Sequence, residues 1–344
     1  MKNFFKILAV TFSICLLLST KDSEQISEID KIISGQKFSI IAWELKKLPK
    51  QTIDFFQNSN LTESEVKKKL QEQNFSTTND IELFFENKVS ELIKENLDKD
   101  FLFPPLTISL EQPPKVLIVS PRNRISQRIA ILINNDISIE DIERIENNID
   151  SLNLSSIILN TGGFAAYPSI INLKRDYNSM VSTISHEWLH HYLFFFPLGR
   201  SYFKGGDMIF INETLADLFA SEITKNQQKE ESISDQFFKN FMKETRAKVD
   251  KFLLNNEIEK AENYMHQRVI ELNDNGYKVR KINQAYFAFY GNYGTSPSST
   301  HNYHEKLSDL LMTYESFDDF LDDIKMIDEV NKLESLLKIR TYNN

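Results

Sequence analysis

The residues best suited to chemistry lie in one apolar, aromatic segment, residues 182–196, which reads STISHEWLHHYLFFF. The spacing of its apolar residues predicts a helix over residues 176–195. In a helix, His186 and His190 are four residues apart and share one face, so their imidazoles can converge on one metal ion. His191 is turned about 140° away from His186, and we predict that it takes no part in the site.

Glu187 directly follows the first histidine, which gives the pattern His-Glu-x-x-His. On a helix, this pattern binds zinc through both histidines, and the glutamate acts as general base on a water at the metal. The alternative is that His186 and His190 are core residues of an amphipathic helix. Neighbours such as Trp188 and Leu189 would then bury two polar rings at a cost of a few kcal/mol. Because metal coordination would offset that cost, we expect one zinc ion per chain.

The third ligand must also come from a histidine or a carboxylate, because the only cysteine, Cys15, lies in the N-terminal apolar run. A catalytic zinc has three protein ligands and one open position. The segment INETLADLFASEI offers Glu213 and Asp217, four residues apart on a predicted helix that Asn212 would cap. We expect Glu213 to complete the ligand set. Asp217 would accept the outer N–H of a metal-binding histidine and so fix its tautomer.

Other acidic residues compete with this assignment. A glutamate such as Glu213, taken alone, is more often a first-turn acid that complements the helix dipole. Asp207 is the main alternative third ligand, and Glu222 is a weaker one. The sequence leaves these alternatives open.

Two further segments offer residues that would contact a substrate. The segment GGFAAYPSII, residues 162–171, is either an edge strand that pairs with the substrate backbone or a plain sheet strand. An oxyanion-stabilising residue is expected in NQAYFAFYGNYGTSPSSTHNYH, residues 283–304. We favour Tyr293, which lies between Gly291 and Gly294 in a predicted turn. The other candidates in this segment are Tyr286, Tyr290, His301 and His304.

The N-terminus, MKNFFKILAVTFSICLLLST, is typical of an export signal. Its apolar run, residues 7–18, is flanked by lysines and is too short to span a bilayer comfortably as a helix. We therefore predict that residues 1–20 are a signal peptide or a membrane anchor, and that the protein is periplasmic, secreted or anchored facing outward. An uncleaved anchor would associate the N-terminus with a membrane.

The remaining chain divides at its proline pairs. Residues 24–110 are charged and helical in pattern, and Thr62 with Glu65 has the spacing of a capping box. Proline pairs in FPPL and EQPP mark a boundary near residue 110. Residues 111–344 then predict strand, strand, helix and strand before the histidine helix, and mostly helix after it. The net charge of −9, with acidic and basic residues interleaved and no basic stripe, excludes a nucleic-acid partner.

HEWLH followed by NETLAD resembles the gluzincin group of zinc peptidases, which includes thermolysin-like proteases and membrane alanyl aminopeptidases. That group carries His-Glu-x-x-His and then Glu-x-x-x-Asp on a second helix. The resemblance covers residues 160–225 and is closest to exported bacterial proteins of this type. The Gly-x-Met-Glu-Asn segment of the alanyl aminopeptidases is replaced here by GGFAAYPSI, and the third histidine of the metzincin pattern is absent.

The resemblance implies a zincin-like α+β domain over residues 111–344, with a small mixed sheet and mostly helical surroundings. It implies zinc bound by His186, His190 and Glu213, with Glu187 as base and Asp217 behind a ligand. The activity implied is hydrolysis of a peptide bond in a peptide or protein substrate, in the manner of an endopeptidase or an aminopeptidase. The alternative is a catalytically inactive zincin-like binding or scaffold protein.

Overall fold

The computed structural model describes residues 28–54, 59–73, 78–225 and 233–342. The architecture is α+β, with many helices and two three-stranded sheets, which confirms the predicted class and its helical character. The helices, in chain order, are α1 (Glu28–Ile32), α2 (Ile40–Asp54), α3 (Glu63–Gln71), α4 (Thr78–Asn96), α5 (Ile139–Asp150), α6 (Tyr177–Leu193), α7 (Pro197–Ser201), α8 (Asp207–Ile223), α9 (Ile233–Leu254), α10 (Ile258–Asp274), α11 (Gln284–Tyr290), α12 (Tyr303–Leu311), α13 (Phe317–Ile324) and α14 (Val330–Tyr342). The strands are β1 (Ile108–Leu110), β2 (Lys115–Pro121), β3 (Ile129–Ile133), β4 (Leu154–Leu159), β5 (Gly163–Phe164) and β6 (Ser169–Ile171).

The predicted signal or anchor, residues 1–20, and Cys15 within it lie outside the described residues. Within the described ranges, no helix has both the length and the apolar character needed to cross a membrane. Export therefore stays a prediction.

The first sheet is antiparallel, in the order β3-β2-β4. Alternate residues of a strand point to opposite faces of the sheet, and both faces of β2 are covered. Val116 and Ile118 pack with helices α9 to α11, whereas Leu117 and Val119 pack with α5. This burial on both faces explains why VLIV, residues 116–119, is a continuous apolar run and not an alternating one.

The second sheet is mixed: β6 lies between β1, to which it is parallel, and β5, to which it is antiparallel. The predicted edge strand, residues 162–171, is split in two by a reversal in which the Ala166 N–H bonds to the Phe164 carbonyl at 2.8 Å. Of the two halves of this predicted strand, β5 is therefore an outer strand of the sheet and β6 is its central strand. The sequence predicts one small sheet, and the structure forms two.

The main core joins the second sheet to helices from both predicted regions. It contains residues of α3, α4, α6, α8 and α12 to α14, including Phe85 of α4, Trp188 of α6 and Phe219 of α8. The predicted capping box at the start of α3 is confirmed, because Thr62 and Glu65 exchange both hydrogen bonds. The boundary near residue 110 stays a prediction.

Helix α4 also closes one side of the second sheet. Its Glu82 accepts the backbone N–H of Leu110 at 2.7 Å, and its Glu86 accepts that of Ile108 at 2.8 Å. Buried backbone N–H groups need such partners, since an unpaired one would cost about 1–3 kcal/mol. The N-terminal helices thus stabilise the sheet that lies beside the histidine helix.

Candidate metal centre

Helix α6 carries the histidine pair on one face and core residues on the other. Its N-cap is Asp176, which accepts the backbone N–H of Ser179 at 3.1 Å. On the core face, the indole Nε1 of Trp188 donates to the carbonyl of Pro104 at 3.0 Å. This hydrogen bond and the surrounding apolar contacts fix the rotation of the helix. The predicted histidine helix is confirmed to within two residues at each end.

Three side chains on α6 and α8 converge and could hold a metal ion: His186, His190 and Glu213. The two Nε2 atoms are 3.1 Å apart. Oε2 of Glu213 lies 3.3 Å from Nε2 of His186 and 3.6 Å from Nε2 of His190. The spacing of four residues on α6 aligns the histidines, and the packing of α6 against α8 brings the glutamate to them.

Asp217 lies behind the first histidine, one turn beyond Glu213 on α8. Its Oδ1 is 3.1 Å from Nδ1 of His186. In the neutral imidazole one nitrogen carries the proton, and the carboxylate places that proton on Nδ1. The Nε2 lone pair of His186 then faces Glu213 and His190, and a cation between the three atoms would relieve the repulsion of their lone pairs.

The pKa values of His186 and Glu213 are set by burial and by the attraction between these side chains and their neighbours. Burial disfavours the charged form of His186, but its hydrogen bonds with Asp217 and Glu213 raise its pKa well above the usual range. Burial also opposes ionisation of Glu213, yet the neighbouring His190 and His186 hold its pKa well below the usual range. Without a cation, the site therefore pairs an ionised Glu213 with a protonated His186, and a bound cation would take the place of the proton on Nε2.

Tyr202 is a residue of the site that the sequence did not indicate. Its hydroxyl donates to Oε1 of Glu213 at 3.0 Å, and its ring centroid lies 6.1 Å from that of His190. This bond occupies Oε1, so that Oε2 faces the histidines. Tyr202 lies in a short 3₁₀ turn between α7 and α8, and no local pattern distinguishes it from the other tyrosines of the chain.

The alternative ligands take other partners. Asp207 accepts the hydroxyl of Tyr303 at 3.0 Å, and Glu222 is paired with Lys225 at 3.1 Å. Neither belongs to the group of His186, His190 and Glu213, which is the group that could hold a metal ion among the described residues.

The prediction that Asn212 caps α8 is wrong. Helix α8 starts earlier than the sequence suggests, at Asp207 after a glycine pair, so Asn212 lies inside the helix. The Nδ2 group of Asn212 donates to the carbonyls of Leu198 at 3.0 Å and Met208 at 2.8 Å. A buried amide that has partners on two helices can sit within a helix, where a solvent-exposed asparagine would favour its end. The residue therefore ties α8 to α7.

Glu187 is buried between the histidine pair and strand β5. A methyl group on Gly163 of β5 would lie 2.6 Å from Oε1 of Glu187 and 2.7 Å from Cγ2 of Thr183. Only glycine at this position leaves room for both side chains. Burial raises the pKa of Glu187, although the positive charges of the histidines and of Arg175 oppose this. A carboxyl of raised pKa is suited to exchange protons near neutral pH.

Tyr293 is the predicted tyrosine that the structure brings to the site. Its ring centroid is 6.4 Å from that of His186. Burial raises its pKa well above the usual range, and the carboxylates of Glu213, Glu187 and Asp217 add to the rise, so the hydroxyl keeps its proton. The loop that carries Tyr293 rests on α8 at the neighbouring Gly294.

A methyl group at Gly294 would lie 2.5 Å from Oγ1 of Thr214, so the glycine allows close contact between the loop and α8. The next residue, Thr295, donates from Oγ1 to Oδ2 of Asp217 at 2.6 Å. These two contacts hold the loop of Tyr293 against α8, with the tyrosine ring near His186.

The remaining candidates lie elsewhere. Tyr286 and Tyr290 of α11 pack together, 4.5 Å between centroids, in the core above the antiparallel sheet. His301 stacks on Phe210 with 4.5 Å between ring centroids. His304 is adjacent to Gly294 through its Cβ.

His191, the predicted bystander, is outside the metal-binding group and packs against Tyr167, with 5.4 Å between ring centroids. Burial lowers its pKa to about 4, so its ring is neutral at physiological pH. His191 is five residues after His186 on α6, so its side chain points about 140° away from that of His186 around the helix axis.

Neither the family models, nor the curated proteins, nor the solved structures include a match to this chain. The arrangement of the side chains therefore carries the functional argument.

Proposed function

We propose that the chain is a zinc-dependent peptidase of the gluzincin type. His186, His190 and Glu213 are the zinc ligands, Glu187 is the general base, and Asp217 orients His186. The observation that carries this proposal is the triangle formed by the Nε2 atoms of His186 and His190 and Oε2 of Glu213. The buried carboxyl of Glu187 directly follows His186 in the sequence.

The dimensions of the triangle match zinc. Ligand atoms bound tetrahedrally at 2.0–2.1 Å lie about 3.3 Å from one another. The observed separations are 3.1, 3.3 and 3.6 Å. Two imidazoles and one carboxylate are the donors of catalytic zinc in several peptidases, and three protein ligands leave a fourth position for water. A structural zinc would instead have four protein ligands.

The residues around the triangle have complementary roles in peptide hydrolysis. When bound, zinc supplies a Lewis acid that makes water a nucleophile near neutral pH. Glu187 takes the proton from the attacking water on its carboxylate and later gives it to the leaving amine, which balances the charge. The protonated hydroxyl of Tyr293 donates to the developing oxyanion. Strand β5, the outer strand beside Glu187, offers backbone groups to an extended substrate.

The test uses the purified protein, loaded with zinc, on a library of unmodified and blocked peptides. Glu187→Gln should keep one zinc per chain and lose hydrolysis, because the amide cannot take the proton. His186→Ala should lose zinc. Glu222→Gln is the matched control on the surface of α8 and should keep both. Unchanged zinc content in the His186 variant would refute the ligand assignment.

The two functional classes predict different results for the parent protein. A peptidase hydrolyses at least some peptides and loses that activity when a chelator removes the metal. A zincin-like binding protein would hold zinc and cleave none of them. We also propose that the enzyme is exported and acts on peptides outside the cytoplasm, and cell fractionation of the full chain tests this directly. Recovery of the intact chain from the cytosol would contradict it.

A further inference from the structure

Arg175 is a positive side chain beside the proposed active site. Its Nη1 donates to Oγ1 of Thr183 at 2.6 Å. Thr183 is one helical turn before Glu187 on α6, and residues four apart on a helix have Cβ atoms about 5–6 Å apart. The guanidinium group therefore lies within about one helical turn of the proposed general base.

The chain makes room for this guanidinium next to β5. A methyl group on Gly162 would lie 2.1 Å from Nη2 and 2.6 Å from Cζ of Arg175, so the side chain occupies the space above this glycine. The following residue, Gly163, leaves the corresponding space for Glu187. The two glycines thus place a cation and the proposed base beside consecutive residues of the same segment.

Arg175 differs from the other arginines in its partners. Every other arginine of the described residues that is at least partly buried forms an ion pair with a carboxylate: Arg122, Arg246, Arg268, Arg280 and Arg340. Among those same residues, no carboxylate lies within ion-pair distance of Arg175, and its only hydrogen bond is with a neutral hydroxyl. A guanidinium has five N–H donors, and those not used by Thr183 remain available to a ligand.

We propose that Arg175 is a substrate-binding residue that selects peptides with a carboxylate close to the scissile bond. The inference rests on the proposed peptidase function. A substrate extended along β5 advances about 3.3 Å per residue, so the recognised carboxylate belongs to a residue one to three positions from the bond that is cleaved. Guanidinium groups bind carboxylates through charge-assisted hydrogen bonds, which neutral side chains cannot replace. The carboxylate is either an acidic side chain or the free C-terminus of a short peptide.

Two sets of peptides distinguish these sources. One set places Glu or Gln at each of the three positions on either side of the cleaved bond. The other compares a free C-terminal carboxylate with a C-terminal amide. The parent should show a kcat/KM at least about tenfold higher for the charged member at one position, as expected for a charge-assisted hydrogen bond. Arg175→Gln should reduce that ratio to below about twofold, while Arg175→Lys should keep part of it.

The control is Arg144→Gln, which removes an exposed arginine that pairs with Asp141 on α5. It should keep the preference of the parent. Zinc content and thermal denaturation of the Arg175 variants check that the site and the fold are intact. A parent that cleaves charged and neutral peptides equally, or a preference that survives in Arg175→Gln, overturns the proposed role of Arg175 and leaves the peptidase function standing.

A binding measurement separates this inference from the proposed function. In the Glu187→Gln background, calorimetry compares the affinity of the protein for charged and neutral peptides, with and without Arg175→Gln. A charged-peptide preference that needs Arg175, in a protein whose parent cleaves no peptide, refutes the peptidase function and supports the subsite. Equal affinity for both peptides overturns the subsite.

Discussion

Replacing Asp217 tests whether the carboxylate behind His186 contributes to metal binding. The two side chains are 19% and 15% exposed, and the distance from Oδ1 to Nδ1 is 3.1 Å. A hydrogen bond to a charged group contributes about 1.5–3 kcal/mol. Since about 1.4 kcal/mol corresponds to a factor of ten, its loss should weaken zinc binding by about 10-fold to 100-fold, in line with other carboxylates behind metal-binding histidines.

The size of the effect should depend on the replacement. Asp217→Asn keeps an oxygen that can accept the Nδ1–H but loses the negative charge, so we expect the lower end of that range. Asp217→Ala removes the acceptor as well and should reach the upper end. Zinc affinity is measured by competition with a chelator of known affinity, and circular dichroism confirms that each variant is folded.

Thr295→Val is the matched control for this pair. It removes the hydroxyl that donates to the other oxygen of Asp217 at 2.6 Å, from an exposed position where water can take its place. We expect at most about a threefold change. If both Asp217 variants bind zinc as tightly as the parent, the carboxylate does not orient the histidine, and the reasoning fails.

Two further predictions concern the surroundings of the site, and a third concerns the buried Glu44. Gly163→Ala places a methyl group 2.6 Å from Oε1 of Glu187, so it should keep zinc and lose most hydrolysis, as zinc analysis and peptide assays would show. Tyr202→Phe removes the hydroxyl that donates to Glu213, the proposed third ligand, and should weaken zinc binding about tenfold in the same chelator assay. Burial raises the pKa of Glu44 above 4.5 in the folded protein, although the Tyr167 N–H opposes the rise. The stabilising contribution of protonated Glu44 is present below pH 4.5 and is lost as the pH rises through its folded pKa, because the buried carboxylate is then charged. Glu44→Gln should therefore raise the melting temperature above that of the parent at pH 7, and this gain should disappear near pH 4. If the parent and Glu44→Gln have equal melting temperatures at both pH values, this expectation is contradicted.

The sequence determined those parts of the site that depend on spacing within one helix. His186 and His190 share a face of α6, and Glu213 and Asp217 share a face of α8, because residues four apart align on any α-helix. The capping box of α3 and the strands of the antiparallel sheet follow equally from local patterns. These features need no knowledge of what packs against them.

The sequence could not place residues whose partners are distant along the chain. The start of α8 was predicted too late, because the tertiary partner of Asn212 on α7 allows a buried amide inside a helix. The sequence favours Tyr293 only through its two neighbouring glycines, whereas the packing of α11 on the antiparallel sheet assigns Tyr286 and Tyr290 to the core. Composition and spacing are the same whichever tyrosine faces the site.

Only the tertiary structure decided that α6 and α8 meet with their polar faces together. The 26 residues between His186 and Glu213 fix no distance between the two side chains, because the chain turns through α7 and a 3₁₀ segment before α8 begins. Packing of the apolar faces of both helices in one core sets that distance. The same packing brings Tyr202 to Glu213. The Arg175 side chain packs over Gly162 and donates to Thr183, one helical turn before Glu187. Local spacing aligns side chains on one element, whereas burial of apolar surface decides which elements face each other.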